Sequence, residues 1–389
     1  MDGDCDILEF LLISFLLLSI WSVLWMAIAT ARIGDAATVG GVQIHGFGGW
    51  AYGMTNNENN YLMGSEDGNY DYVNFSMNLS ANPYDRFSAY VQLGFNEEFS
   101  ESEVGIDYAF AEWYVNDALS IRAGKVKAPF LLYTEIYDVG TLRPFFDLPP
   151  SIYQQFAAEA YKGIGFTGAL FSSGQWELRY DVYGGELALL PQTSPEMLPE
   201  PRLTEETPIM KNMIGGRVLL QTPVDGLTVG VSGYGGEGDL YSDGQPAEAE
   251  FDASYLFFGA SAEYLQDRFW LRAEYAGQQA ADAYKFHALY LEPAYKFTDH
   301  FQAVMRYEWL DGEADWLEKF PESFLDHQDF AFGLNYWFNP MMVVKVAYHI
   351  VQDNRCAQPA TLEDFIQATQ QGKFEEETNL FSLGIQFSF

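Results

Sequence analysis

The chain has 389 residues, of which 48% are hydrophobic and 17% aromatic, and its formal net charge is −35. A balance this acidic argues against nucleic acid as a partner, because phosphate binding needs basic patches. The two cysteines, Cys5 and Cys356, allow one disulfide at most. The many Gly, Tyr and Phe residues (35, 25 and 31) suit strands with aromatic girdles and small interior side chains.

Residues 1–31 are predicted to be a secretory signal peptide. A long apolar run from Ile7 to Ile28, interrupted by Glu9 and a few serines, is followed by the A-x-A cleavage pattern Ala29-Thr30-Ala31. A transmembrane anchor is the alternative, because the run approaches the roughly 20 apolar residues that span a bilayer. Acidic residues stand where a signal peptide carries positive charge: Asp2, Asp4 and Asp6. Residues 32–41 would be a short lead-in to the first strand.

Past Gly41 the chain alternates between apolar and small or polar residues, the period-two pattern of strands with two different faces. Sixteen strands are predicted, at about 42–52, 70–81, 86–96, 104–116, 119–125, 163–171, 174–184, 210–222, 226–235, 250–264, 266–277, 282–298, 300–310, 327–339, 341–351 and 378–389. No linker divides them, so residues 42–389 are predicted to form one domain.

The connections between these strands alternate between tight and long. Tight ones carry turn residues, as at Asn116-Asp117, Gln266-Asp267 and Asn339-Pro340, whereas the others are mostly long and polar. Seven short turns, eight longer loops and both ends on the short-turn side are typical of an outer-membrane barrel. The predicted fold class is therefore all-β: a transmembrane antiparallel β-barrel of about sixteen strands.

Charged residues keep to one face of the predicted strands. In 300–310, for example, Phe301, Ala303 and Met305 oppose Arg306 and Glu308. A Lys or Arg on the lipid face would cost about 2–4 kcal/mol at the bilayer midplane, so the charged face must be the interior. So many interior charges need water, which predicts a channel. The predicted lumen-wall residues are Arg86, Glu112, Arg122, Arg179, Arg272, Arg306 and Lys345.

The long loops hold the surplus of negative charge. Loop 97–103 has four glutamates, and loops 311–326 and 352–377 each have six acidic residues against one or two basic ones. An acidic mouth concentrates cations and repels anions, an effect that salt screens. The alternative is that these loops solvate the surface or bridge lipopolysaccharide through divalent ions.

The loop 126–162 differs from the rest, because it is the longest and the most apolar. Its aromatic and proline-rich runs are predicted to fold back against the inner wall. At this point the sequence resembles the Gram-negative general porins, which are sixteen-stranded and usually trimeric, with a third external loop folded into the lumen. The stretch Gly124-Lys125-Val126-Lys127-Ala128-Pro129-Phe130, with Tyr133, Asp138, Arg143 and Pro144, is similar to the phosphate- and dicarboxylate-type porin superfamily.

The resemblance implies a constriction in which acidic loop residues face basic wall residues. The acidic candidates are Glu135, Asp138 and Asp147, and the basic residues at the loop ends are Lys125, Lys127 and Arg143. Arg86 and Arg122 are the nearest wall candidates, with Glu112 beside them. Phe389 is similar to the terminal signal that the barrel-insertion machinery reads. A homotrimer is also implied.

No catalytic or metal site is predicted. Gly163-Ile164-Gly165-Phe166-Thr167-Gly168 matches G-x-G-x-x-G but lies within a strand, so it fails the context that nucleotide binding requires. The five histidines are scattered, with no metal-ligand spacing. The predicted function is a porin for small hydrophilic solutes or ions in the bacterial outer membrane, cation-leaning and without a cofactor or enzymatic activity. The alternatives are a receptor or adhesin with a closed barrel, a channel specific for small organic acids, and a barrel enzyme.

Overall fold

The computed structural model describes most of the predicted barrel. The described residues are 37–39, 41–96, 103–136, 138–189, 206–242, 245–246, 253–280, 284–314, 325–353, 355–359 and 375–389. The predicted signal peptide lies outside them, as do most residues of the acidic external loops. In the described part of the chain, no helix is both long and apolar enough to cross a bilayer.

Sixteen long strands make up the fold, as the alternation of residue types predicts. In chain order they are β1 (Val42–Thr55), β2 (Asn69–Tyr84), β3 (Phe87–Asn96), β4 (Glu103–Asn116), β5 (Leu119–Lys127), β6 (Ala160–Ser173), β7 (Trp176–Ala188), β8 (Glu206–Gln221), β9 (Leu227–Ser242), β10 (Ala253–Leu265), β11 (Phe269–Ala280), β12 (Tyr284–Lys296), β13 (Phe301–Ala314), β14 (His327–Asn339), β15 (Met342–Gln352) and β16 (Glu377–Ser388).

Each strand pairs antiparallel with the next, and the last pairs with the first. The closing ladder of β16 with β1 includes Trp50 opposite Ile385, and Phe389 continues it by exchanging two backbone hydrogen bonds with Gly46. Closure leaves no edge strand, so every long strand satisfies its backbone groups on both sides. The fold is a closed antiparallel sixteen-stranded barrel.

Most strand ends differ from the predicted ones by a few residues, and two of these differences bear on the predicted site residues. β5 continues to Lys127 and β6 begins at Ala160, so the third long connection is 128–159 rather than 126–162. The β2–β3 turn consists of Asp85 and Arg86, because Arg86 adopts a positive φ of 67° and β2 runs on through the predicted turn residues to Tyr84. Turn chemistry alone did not reveal how far the hairpin ladder would extend.

The two faces of the barrel are those that the sequence predicts. On β14, Phe330, Phe332 and Leu334 are exposed and alternate with residues that are more buried. On β15, Lys345 and His349 are buried, and their neighbours Tyr348 and Ile350 point outward. Large apolar side chains are thus exposed around the outside, and charged ones lie inside. An apolar outer band around a charged interior is the arrangement of a transmembrane barrel.

Smaller elements lie in the connections on the external side. A 3₁₀ turn, Gly140–Leu142, and a short helix, Pro150–Tyr153, lie in segment 128–159. Strand Asn59–Tyr61, from the β1–β2 connection, pairs with Ala357–Pro359, from the β15–β16 connection. Tyr61 donates a hydrogen bond to Asp329 on β14, which ties this small sheet to the barrel wall (2.9 Å).

The outer face can be tested at Leu334, which is 49% exposed near the middle of β14. We expect Leu334→Arg to lower the free energy of unfolding in lipid by about 2–4 kcal/mol, because the guanidinium would enter hydrocarbon. Leu334→Met is the matched control and should cost little. Denaturant titration of the barrel in vesicles measures both, and equal midpoints for the two variants would contradict a lipid-facing position.

Candidate functional site

Segment 128–159 joins β5 to β6 and makes hydrogen bonds with side chains of many strands. On β7–β9, Tyr183 donates a hydrogen bond to the Pro129 carbonyl oxygen (3.3 Å) and Tyr234 to the Phe156 carbonyl oxygen (2.6 Å). Ser232 accepts a hydrogen bond from the Leu131 N–H (3.0 Å). The described residues of the segment also contact β3, β5, β8, β11, β12, β13 and β15 by the bonds that follow.

Two tyrosines of the segment meet the carboxylates of β11 and β12. The Tyr153 hydroxyl donates to Glu274 (2.5 Å) and accepts from the Tyr133 N–H (2.9 Å). The Tyr133 hydroxyl donates to Glu292 (3.1 Å) and accepts from Arg272 (2.7 Å). Burial beside these carboxylates raises the pKa of both phenols well above the ordinary value. Both therefore stay neutral hydrogen-bond donors at physiological pH.

The short helix sits on a buried ion pair of β13. Glu308 accepts hydrogen bonds from the backbone N–H (3.0 Å) and hydroxyl (2.6 Å) of Ser151, at the first turn of the helix. Arg306 lies 2.7 Å from Glu308 and donates to the Asp147 carbonyl oxygen (3.0 Å). The pair is fully buried, so each charge depends on the segment for its remaining partners.

A single ammonium on β15 holds the 3₁₀ turn. Lys345 Nζ donates to the carbonyl oxygens of Gly140 (2.8 Å), Arg143 (2.7 Å) and Phe145 (2.9 Å), and to Gln386 on β16 (2.6 Å). Lys345 is 2% exposed. Three of its four acceptors are backbone carbonyls of the segment, so this charge fixes a backbone path rather than pairing with a carboxylate.

Glu135 lies between basic residues of two strands that are not neighbours. It pairs with Arg217 on β8 and lies 3.6 Å from Arg122 on β5. Arg122 also pairs with Glu112 (2.7 Å), and Arg217 with Asp181 (3.0 Å). The predicted meeting of an acidic segment residue with a basic wall therefore occurs at Arg122. Arg217 joins it in place of the predicted Arg86.

Glycines on the inner wall make room for the apolar residues of the segment. A Cβ at Gly384 on β16 would lie 2.4 Å from the Phe146 ring, and one at Gly259 on β10 would lie 2.4 Å from Leu131 Cδ2. Both distances are shorter than any van der Waals contact. A side chain at either glycine would therefore require the Phe146 ring or the Leu131 side chain to move.

Between the segment and the opposite wall lies a cavity of about 400 Å³. On the wall side it is lined by Tyr72, Asn74 and Ser76 of β2 and by Asp107 of β4. On the segment side its lining includes charged residues and an aromatic, namely Asp138, Arg143, Asp147, Tyr153 and Glu159. Charged lining residues are thus four acids and one base, and no basic residue comes from the wall.

Some of these charges are already paired. Lys127 bridges Asp138 (3.0 Å) and Glu159 (2.6 Å). Gln92 on β3 donates hydrogen bonds to both Asp138 (2.7 Å) and Asp107 (2.8 Å). Asp147 differs, because one of its carboxylate oxygens is buried without a hydrogen-bond partner, and burial raises the pKa of this carboxyl above its usual value.

Three predicted site residues lie elsewhere. Arg86 is exposed at the β2–β3 turn, where its guanidinium faces the Val115 carbonyl oxygen. Lys125 pairs in register with Ala109 and so shares the outward face of β5; the bulge in β4 beside Gln92 changes which residues face inward at this end. Arg179 is exposed near the β6–β7 turn and pairs with Glu177.

Sequence reasoning missed three residues of the site: Asp107, Glu159 and Arg217. Arg217 had a readable signal, because a basic residue in the middle of a predicted strand must face the interior. Asp107 had none, since the β4 bulge shifts its register, and Glu159 reaches the cavity only through the path of the segment. Among the described residues, no group of three or more His, Cys, Asp or Glu could hold a metal ion.

The Lys345 contacts predict a large effect on stability. We expect Lys345→Met to lower the free energy of unfolding by about 3–5 kcal/mol, because three buried carbonyl oxygens lose their donor. Lys162→Met is the control: Lys162 pairs with Glu186 at 3.1 Å, but it is mostly exposed, so its loss should cost at most about 1 kcal/mol. Denaturation in vesicles measures both, and equal effects would refute the structural role of Lys345.

Comparison of the sequence with protein-family models gives no match. Comparison with curated proteins gives none either.

Solved structures do match, at low sequence identity. The outer membrane channel DcaP of Acinetobacter baumannii is 10% identical, covers 92% of this chain and 100% of its own, and gives a TM-score of 0.61. The anion-selective porin from Comamonas acidovorans is 9% identical. The match covers 90% of this chain and 99% of the porin, with a TM-score of 0.56. The trimer form of the outer membrane protein OmpT of Vibrio cholerae is 11% identical. The match covers 91% of this chain and 100% of OmpT, with a TM-score of 0.53. The chain therefore has the fold of the outer-membrane porins.

Proposed function

We propose that this chain is an outer-membrane porin that lets small hydrophilic solutes or ions diffuse through a narrowed, cation-preferring passage. The observation that carries the proposal is the cavity of about 400 Å³ between segment 128–159 and the inner faces of β2 and β4. A sixteen-stranded barrel is wide enough for an aqueous channel, and the cavity is lined by charged residues that water would hydrate. The similar structures named above include a porin and a channel, which supports the role.

Segment 128–159 is proposed to lie inside the barrel and to set the width of the passage. Its partners are inward-facing residues such as Arg217 on β8, Glu274 on β11 and Lys345 on β15. A segment that reaches strands on several sides of a closed barrel crosses its interior. The passage would then run along the wall formed by β2 and β4, opposite the strands that anchor the segment.

The preference for cations rests on the charges of the cavity. Arg122, Arg217, Arg272 and Arg306 each pair with a wall carboxylate, and Lys345 is enclosed by carbonyl oxygens. Of the charged groups that line the cavity, acids outnumber bases by four to one. In a narrow passage with low-dielectric walls, such an imbalance raises the local concentration of cations.

A homotrimer is also proposed, supported by the trimer form of one similar structure. The remaining partners follow from the same role: lipid and lipopolysaccharide around the outer band, and the insertion machinery at Phe389. Secretion by cleavage after Ala31, the absence of a cofactor and the absence of an enzymatic activity stay predictions. A receptor with a closed barrel is the second candidate, because segment 128–159 binds so much of the wall.

Planar-bilayer recording tests the porin role and its selectivity together. We expect steady single-channel conductance and, under a KCl gradient, a reversal potential whose sign shows that K⁺ permeates better than Cl⁻. Asp107→Asn combined with Asp138→Asn should reduce the K⁺ over Cl⁻ permeability ratio severalfold, because two of the four lining acids lose their charge. The control is Asp225→Asn, an exposed acid in the β8–β9 turn. A folded barrel without conductance would favour the receptor.

The pH dependence of selectivity should report Asp147. A carboxyl whose pKa is raised takes up its proton at a higher pH than an exposed one, so its negative charge is lost first as pH falls. We therefore expect the K⁺ preference to begin falling at a pH where exposed Asp residues, with an ordinary pKa of about 3.9, are still ionised. Asp147→Asn should reduce that early change in reversal potential and leave the later one.

A further inference from the structure

The cavity leaves two opposite charges open, and they are close in sequence. The Arg143 side chain is 95% buried, lines the cavity, and makes no hydrogen bond or ion pair in the described part of the chain. Asp147 lines the same cavity, and its carboxylate makes no hydrogen bond or ion pair among the residues that the structure describes. Although only four positions separate them, the two side chains form no salt bridge with each other.

We propose that this cavity is a binding site for a zwitterionic solute of the α-amino-acid class. The carboxylate of the solute would bind Arg143, and its ammonium group would bind Asp147. This inference rests on the proposed porin function and names the solute class that the passage would favour. Neither the fold nor the comparisons assign a ligand to these two residues.

Arg143 has the chemistry of the anion-binding pole. Burying a guanidinium without an acceptor is costly, and its planar array of N–H groups matches a carboxylate through two parallel hydrogen bonds. The backbone around it is held in place, because the Arg143 carbonyl oxygen accepts from Lys345 (2.7 Å) and its N–H donates to Gly140 (3.2 Å). The site is therefore fixed before a ligand arrives, which lowers the entropic cost of binding.

Asp147 has the chemistry of the cation-binding pole. The other cavity acids are engaged with the protein: Lys127 holds Asp138 and Glu159, and Gln92 holds Asp107. The Asp147 carbonyl oxygen accepts from Arg306, which fixes the backbone of the residue. Its carboxylate makes no hydrogen bond within the described residues, and an ammonium group bound to it would also be attracted by the three engaged acids. The same three acids would repel a second carboxylate, so a dicarboxylate would bind less well than an amino acid.

The size and lining of the cavity fit a compact solute with a polar side chain. A volume of about 400 Å³ exceeds what the two charged groups need. The remaining wall offers the amides of Asn74 and Gln154 beside the aromatic ring of Tyr72. Amide and hydroxyl groups of a solute would find hydrogen-bond partners there.

Uptake into proteoliposomes tests the proposal with three probes: glutamine, 4-aminobutanamide, which lacks the carboxylate, and glutaramate, which lacks the amine. We expect glutamine uptake to saturate, with a half-saturation concentration about tenfold or more below that of either analogue. Equal half-saturation for glutamine and either analogue would overturn the two-pole site. Linear uptake of all three probes, through a protein that conducts K⁺, would overturn the site and leave the porin function standing. If the protein shows neither uptake of the probes nor conductance, both the binding site and the porin function are wrong.

Two variants separate the poles. Arg143→Gln should raise the half-saturation concentration for glutamine about tenfold to a hundredfold and leave that for 4-aminobutanamide unchanged. Asp147→Asn should raise the value for glutamine and leave that for glutaramate unchanged. Arg268→Gln, at an exposed turn between β10 and β11, is the control for loss of a positive charge. If both site variants leave glutamine uptake unaltered, the proposal is wrong. If neither variant folds, the three-probe comparison on the unmodified protein still decides it.

Discussion

The inner wall of this barrel carries buried basic side chains, and every one of them needs acceptors that the strands alone do not supply in full. Arg217 on β8, Arg306 on β13 and Lys345 on β15 each donate to backbone carbonyl oxygens of segment 128–159. A buried cation with too few acceptors is strongly destabilising. The wall and the segment are therefore interdependent: the segment satisfies the wall charges, and those charges set the path of the segment.

Apolar packing strengthens the same arrangement. Phe130, Tyr133 and Tyr153 of the segment join one buried cluster with wall aromatics of β7–β12. Phe145 packs against residues of β12–β15, and Phe146 packs against β1 and against Gly384 on β16. The apolar side chains of this connection are therefore buried against residues of the strands, while its backbone carbonyl oxygens accept hydrogen bonds from buried cations of the strands.

The strands were predictable because their signal is local. Period-two alternation identifies a strand and its two faces, and the structure contains all sixteen predicted strands. Most strand ends lie within about four residues of the predicted positions. The site was less predictable because its contacts join residues far apart in sequence. Lys345 meets Gly140 across 205 positions, and no spacing in the sequence indicates that pairing. The positions of Arg86 and Lys125 are hard to predict for a related reason, because they depend on a turn at positive φ and on a bulge in the neighbouring strand.

The proposed cation preference follows from how few basic residues the chain has. It holds 20 Lys and Arg against 55 Asp and Glu. Most inward-facing basic residues form ion pairs within the protein, since a buried guanidinium or ammonium is costly without partners. Four wall acids are neutralised in this way, by Arg122, Arg217, Arg272 and Arg306. Of the four acids that line the cavity, Asp138 and Glu159 pair with Lys127, whereas Asp107 and Asp147 form no ion pair within the described residues. The charge of such a passage is set by the groups that form no ion pair within the protein. Arg143 is the one basic residue in the described lining of the cavity, so it is the group that can bind an anion there. It lies beside an excess of carboxylates.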